Sequence, residues 1–400
     1  FLQRSLVGYT DHHVLEVLTT ALVLATLAGA LRRARQGRSP GEHALAGALA
    51  GTALASYLLA WTSAAFLVFI LAGWVVVQSL VEHARGRRGP ALALVAGPCF
   101  LTALVVVLAF QDPQMPRYTM QLGSLAVALG AVGVTEVGRR MVLTAARTPR
   151  LLPLVLLTTA ALAAAATFGW WPDLADLTRA DLSRLLPSAS ARTVSEIAPL
   201  LEVGSGPRWL RPFATFSTPF YVGLAMLALL LRRAWRTADA EASLVSIWTV
   251  AVFAATLGQT RFGYYLAFGL AILTGGFCAE AGSHVVRITA TRSRALRVGL
   301  LVGLGSVALV PPLLLAYRQS QSHFSMPQGW HSSLRWLRES SPEPFGDPAF
   351  YTRRYSAGES TRQPAYSVMA WWDYGYWIIR VGRRVPVANP TQSGARSEEH

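Results

Sequence analysis

The sequence predicts a polytopic α-helical membrane protein that continues into an external α/β domain, and three observations carry that prediction. Hydrophobic residues make up 52% of the 400-residue chain and charged residues 14%, with a mean hydropathy of +0.37. That is too apolar for a single soluble globule. Apolar runs near the ~20 residues needed to cross a bilayer recur along the chain. They predict ten spans, at about 14–31, 42–61, 62–82, 91–110, 119–137, 151–170, 213–231, 243–259, 262–280 and 297–317. Arginines, finally, gather in alternate connections.

The charge distribution sets the orientation. A formal net charge of +15 could mark a nucleic-acid binder, but its location decides against that. With the Asp11 end outside, the connections 32–41, 83–90, 138–150, 232–242 and 281–297 face the cytoplasm and hold 18 arginines. The short external loops 111–118 and 260–261 hold only Arg117 and Arg261. The positive-inside rule therefore predicts a multi-pass protein of the cell membrane, with its N-terminal end and the region from about 318 onward outside. Nucleic acid is not an expected partner; the lipid bilayer is. Cys99 and Cys278 fall inside predicted spans, so neither a disulfide framework nor a zinc site is indicated. Phe1 starts abruptly before a helix and Ser397-Glu398-Glu399-His400 ends without a recognisable terminus, so the chain reads as part of a longer protein.

Two domains are expected: a membrane domain over 1–317 and the start of a soluble domain over 318–400. Non-membrane sequence concentrates in the long external connection 171–212 and in that second domain. In the connection, Leu174, Leu177, Leu182, Leu185 and Leu186 share one helical face among Asp173, Asp176, Asp181 and Arg184, which suits a helix lying at the membrane surface. In the second domain, Trp330, Leu334 and Leu337 recur at helical spacing and predict a short helix ending near Ser340-Ser341-Pro342. Loops rich in Gly, Pro and Ser follow over 341–366.

Four constellations on the external side can carry chemistry. The densest is Trp371-Trp372-Asp373-Tyr374-Gly375. Two indole N–H donors, one carboxylate acceptor and flat apolar walls suit gripping a small hydroxyl-bearing side chain, whereas the plainer interpretation is two core tryptophans and a turn aspartate. Asp11-His12-His13 places a carboxylate and an imidazole two residues apart, on one side of an extended backbone. That pair suits Mn²⁺ or Mg²⁺, and Asp11 equally suits capping the helix that follows. In Thr193-Val194-Ser195-Glu196, the carboxylate sits on a long loop that could close over a substrate or simply be solvated. Gln259-Thr260-Arg261-Phe262-Gly263-Tyr264-Tyr265 offers an arginine for bidentate phosphate binding with tyrosine hydroxyls beside it. Arg261 also fits an interfacial arginine in an aromatic belt.

In this order the motifs resemble the catalytic subunit of the oligosaccharyltransferases, a GT-C-type glycosyltransferase family. Trp371 to Gly375 reproduce its WWDYG signature, and Thr193 to Glu196 resemble its external-loop motif. Asp11-His12-His13 resembles its second acidic motif in the Asp-x-His form of archaeal-type members. Gln259 to Tyr265 resemble the segment near the donor phosphates. Six predicted spans separate Asp11 from the long loop and four follow it, similar to spans four to thirteen of that family. The first acidic motif and a second sequon-binding motif have no counterpart in residues 1–400, so these residues alone are expected to be inactive.

The resemblance implies metal-dependent, inverting transfer of a glycan from a polyprenyl (pyro)phosphate lipid to the asparagine of Asn-X-Ser/Thr in acceptor polypeptides. It implies a catalytic role for Asp11 and Glu196, a divalent ion (Mn²⁺ or Mg²⁺) on Asp11, His13 and Glu196, donor phosphate on Arg261 and Tyr264, and sequon recognition by Trp371, Trp372 and Asp373. Another polyprenyl-phosphate-dependent GT-C enzyme, O-mannosyl or lipid-modifying, would share the spans and the acidic motif but would not need Trp371-Trp372-Asp373. A transporter should place charged or broken helices at the bilayer midplane, whereas the suspicious charges here sit at span ends.

Overall fold

A computed structural model of the chain describes residues 13–37, 39–61, 65–87, 91–113, 118–145, 153–154, 158, 198–202, 207–321, 326–351, 363–371 and 374–388. The chain divides into two compact units, Phe1–Gln321 and Ser322–His400.

The first unit is a helical bundle. Its long helices are α1 (His13–Arg35), α2 (Pro40–Ala60), α3 (Ala65–Ala84), α4 (Ala91–Phe110) and α5 (Tyr118–Ala145), followed after the long connection by α6 (Arg211–Phe216), α7 (Thr218–Thr237), α8 (Ala240–Gly258), α9 (Gly263–Ile288) and α10 (Arg294–Ser320). Among the described residues, eight helices are long and apolar enough to cross a membrane, and nine if the bent pair Arg208–Phe216 and Thr218–Thr237 counts as one span. These coincide with nine of the ten predicted spans. The predicted span 151–170 lies almost wholly outside the described residues, as do the predicted surface helix around Leu174–Leu186 and its neighbours.

Local chemistry sets the helix ends. Ser39 accepts from the Glu42 N–H at 3.3 Å while its own N–H donates to Glu42 Oε2 at 2.8 Å, with Pro40 in the first turn. That reciprocal pair satisfies two otherwise orphaned donors of α2. Asp239 caps α8 by accepting from the N–H groups of Glu241 and Ala242. The predicted span 213–231 starts too early, because the chain turns by 103° between Phe216 and Thr218. Ser217 takes φ 59°, in the left-handed region, and Pro219 follows as the next helix opens. A proline in the first turn of α7 starts a new helix rather than continuing the old one.

Small residues let two helices touch through their backbones. A Cβ on Gly47 would lie 2.2 Å from the Val95 carbonyl oxygen, and one on Gly51 would lie 2.4 Å from that of Cys99. This Gly-x-x-x-Gly stripe packs α2 directly on α4, as small residues do where lipid removes any hydrophobic drive to associate. The buried interior runs through Tyr57, Trp74, Phe100, Trp248 and Tyr265.

The second unit contains α11 (Gln328–Ser340), the helix expected from Trp330, Leu334 and Leu337, with Leu334 buried. Among the described residues it has no strand, only an isolated parallel bridge between Val368 and Pro386. A short helical turn over Gly375–Trp377 runs into a wider one over Ile378–Gly382.

Candidate active site

Two features of the bundle meet at the end where α1 begins. His13 opens α1, and one turn later Glu16 lies on the same face, its carboxylate fully buried. A charged side chain inside an apolar bundle needs partners, and α9 supplies them. Tyr264 Oη donates to Glu16 Oε2 at 2.8 Å and Tyr265 Oη donates to the same oxygen at 2.6 Å. The Tyr265 hydroxyl is in turn 3.1 Å from that of Tyr57 on α2. On the other side, Glu16 Oε1 lies 3.4 Å from His13 Nδ1. Both phenols stand in the first turn of α9, where the positive end of the helix dipole favours a nearby carboxylate.

Aromatic rings wall this cluster. The His13 and Tyr264 ring centroids are 4.5 Å apart, Tyr264 and Tyr265 are 4.4 Å apart, and Trp61 approaches Tyr265 at 6.4 Å and Tyr57 edge-on at 6.0 Å. Phe66 of α3 touches Phe262 and Tyr265.

Arg261 stands in the 3₁₀ turn Thr260–Phe262 that leads into α9, with its guanidinium 5.2 Å from the Phe262 ring. The returning end of the long connection is tied to the same turn. Thr260 N–H donates to the Ala198 carbonyl at 2.9 Å, and Leu200 N–H donates to that of Leu257 at 3.3 Å. Arg211 then holds the Leu201 carbonyl, fixing the following stretch.

Of the residues singled out from sequence, the structure thus brings His13, Arg261 and Tyr264 to one end of the bundle. Asp11 and Glu196 lie outside the described residues, five positions before Glu16 and two before Ala198 in the chain. Tyr264 places its hydroxyl on Glu16, so a phosphate contact from that hydroxyl would require it to turn away. Sequence reasoning passed over Glu16 and Tyr57. A carboxylate three residues after a candidate ligand histidine, within an apolar span, was the available signal for Glu16; nothing in the sequence marked Tyr57.

The second unit presents Trp371, which is half exposed. Trp372 and Asp373 lie outside the described residues. The Tyr374 N–H donates to the Trp371 carbonyl at 3.0 Å. Trp330 of α11 packs against Tyr374 at 4.3 Å, the rings tilted by 32°, and meets Trp377 at 6.0 Å. Upstream, the bridge at Val368 ties this stretch to Val385 and Val387 through hydrogen bonds of 2.7 and 3.0 Å. Arg384, almost completely buried, donates to the carbonyls of Arg338 and Ser341 and to Ser341 Oγ, closing the C-terminal end of α11.

The AglB core domain family matches residues 327–399, which contain Trp371 to Gly375. Dolichyl-phosphooligosaccharide-protein glycotransferase 3 of Archaeoglobus fulgidus is 26% identical over 440 aligned residues, covering 98% of this chain. The chain is similar in sequence to the archaeal AglB oligosaccharyltransferases. It spans about half the length of the AglB relatives it matches, 49% in the case of that glycotransferase. The structure of the Archaeoglobus fulgidus AglB in complex with an inhibitory peptide and a dolichol-phosphate superimposes with a TM-score of 0.82 at 24% identity, over 98% of this chain and 49% of that one. The Archaeoglobus fulgidus oligosaccharyltransferase in complex with zinc and sulfate matches with a TM-score of 0.71 at 22% identity, over 98% of this chain and 45% of that one. AglB structures thus share the fold of this chain, which is a multi-pass membrane protein.

Proposed function

We propose that this chain carries the membrane half of an enzyme that transfers a glycan from a polyprenyl (pyro)phosphate to the asparagine of Asn-X-Ser/Thr sequons, on the external face of the cell membrane. The observation that carries the proposal is the meeting of three motif-bearing segments at one end of the bundle. His13 opens α1 there, Arg261 precedes α9, and Ala198, just after the Thr193–Glu196 motif, is hydrogen-bonded to the Arg261 turn.

The chemistry explains why such groups are needed. An amide nitrogen shares its lone pair with the carbonyl and is a poor nucleophile, for the reason that peptide bonds are planar. Glu196 binds the acceptor amide and orients its nitrogen toward the anomeric carbon. Arg261 neutralises charge on the departing phosphate, its planar fork matching two oxygens at once. Attack from the face opposite the leaving group inverts the anomeric carbon. Trp371, Trp372 and Asp373 read the sequon hydroxyl, and an acceptor without it leaves their polar groups unpaired.

The surroundings of His13 fit a bound cation. Its ring is largely buried and faces a buried carboxylate, which is the second partner that metal-ligating histidines ordinarily have. Asp11, His13 and Glu196 would hold Mn²⁺ or Mg²⁺, which supplies Lewis-acid stabilisation of the leaving group when bound.

The test uses full-length protein in membranes with a lipid-linked oligosaccharide extract, Mn²⁺, and fluorescent peptides carrying Asn-X-Thr or Asn-X-Ala. A mobility shift confined to the threonine peptide is expected. A shift of neither peptide with a competent donor pool points to another polyprenyl-phosphate glycosyltransferase, and a shift of both refutes hydroxyl reading by the Trp371–Asp373 segment.

A further inference from the structure

Glu16 belongs to none of the motifs above, yet its carboxylate is fully buried at the end of the bundle that holds His13. A carboxylate in such a place is costly to keep unless it does something. Two hydroxyls from consecutive residues of α9 hold one of its oxygens at 2.8 and 2.6 Å, and the second of them is backed by Tyr57 at 3.1 Å. With Oε2 held from that side, Oε1 lies 3.4 Å from His13 Nδ1.

We propose that Glu16 is a positioning residue for His13. A carboxylate facing Nδ1 favours the tautomer that carries its proton there, which leaves the lone pair on Nε2 to meet a divalent cation. Because Glu16 is held by Tyr264 and Tyr265, the ring is oriented relative to α9 and hence to the Arg261 turn that precedes it. The inference rests on the metal-binding part of the proposed function, and its test separates the two.

The substitution Glu16→Gln sharpens the question. The glutamine oxygen can still accept from the two phenols, so the packing is kept. Its amide N–H₂ then faces Nδ1, which must become the acceptor, and the proton moves to Nε2 where it blocks ligation. Binding of Mn²⁺ alone to full-length protein, followed by loss of the free-ion paramagnetic resonance signal, should weaken about 10- to 100-fold in Glu16→Gln. The thermal midpoint in EDTA should stay near that of the unsubstituted protein, which a merely structural role for Glu16 would not allow. Tyr265→Phe leaves the carboxylate in place but less well held, and should weaken Mn²⁺ in the same direction by about threefold or more. This second variant decides the matter if Glu16→Gln does not fold. Mn²⁺ affinity unchanged in His13→Ala refutes the metal reading itself. Affinity lost in His13→Ala but within about twofold of normal in Glu16→Gln, or in Tyr265→Phe where Glu16→Gln does not fold, refutes the role of Glu16 alone.

Discussion

The two ends of the bundle hold a buried carboxylate with different described partners. At the end where α1 finishes and α8 begins, acids face arginines. Arg35 Nη2 lies 2.6 Å from Asp239 and 2.7 Å from Glu241, Arg32 reaches Glu241 at 3.3 Å, and Arg233 reaches Asp239 at 2.9 Å. At the His13 end, the described partners of Glu16 are two phenol hydroxyls and an imidazole. Arginine pairing fixes helix ends there, and salt screens its exposed members. The two phenols hold one oxygen of the Glu16 carboxylate, and the other lies beside His13. The first arrangement is a clamp and the second has the character of a site.

The difference predicts a ranking of effects. Replacing both Tyr264 and Tyr265 with Phe leaves a buried carboxylate without its two hydroxyl donors, and should destabilise the protein by about 3–5 kcal/mol in detergent melts. Asp239→Asn should cost less, about 1–2 kcal/mol, because asparagine caps α8 nearly as well and only the pairing with arginine is lost. Arg32→Ala removes a largely exposed partner of Glu241 and should change stability by less than about 0.5 kcal/mol, an effect that added salt erases. A melt in which Arg32→Ala costs more than the double phenylalanine variant would invert the comparison.

Acid sharpens it further. Burial alone would raise the Asp239 carboxyl, but the hydrogen bonds from Arg35 and the Ala242 N–H, with the charges of Arg35 and Arg233, outweigh it and bring it from 3.8 down to about 2. Its folded value is depressed, so its contribution is complete above about pH 4 and is lost as pH falls through about 2. The unsubstituted protein should therefore lose part of its thermal midpoint between about pH 4 and 2, and Asp239→Asn should lose less over the same window.

How much of this was legible in the sequence depends on which physical signal each element leaves. The spans were readable because apolar length is nearly sufficient for a membrane helix, and α4 and α10 coincide closely with their expected ranges. The 103° break at Ser217 was not, because it arises from one backbone conformation that hydropathy averages away. His13 and Arg261 stood out because they interrupt apolar sequence at span ends. Glu16 was hidden by the same averaging, being one carboxylate inside an otherwise apolar helix. Its partners were harder still: Tyr57 and Tyr265 are 208 positions apart, and only the packing of α2 and α9 brings their hydroxyls together. The Trp371–Gly375 motif needed no structure to be noticed, but its support by Trp330 did, since that residue lies more than forty positions upstream of Tyr374.

Transfer to the Asn-X-Thr peptide by full-length protein, measured in EDTA and again after Mn²⁺ is restored, in the unsubstituted protein and in His13→Ala, decides whether this end of the bundle is a metal-dependent centre. EDTA should abolish transfer, Mn²⁺ should restore it in the unsubstituted protein, and His13→Ala should stay at least about 100-fold lower with Mn²⁺ present. Transfer that survives EDTA and is undiminished in His13→Ala would contradict a metal-dependent centre at this end of the bundle.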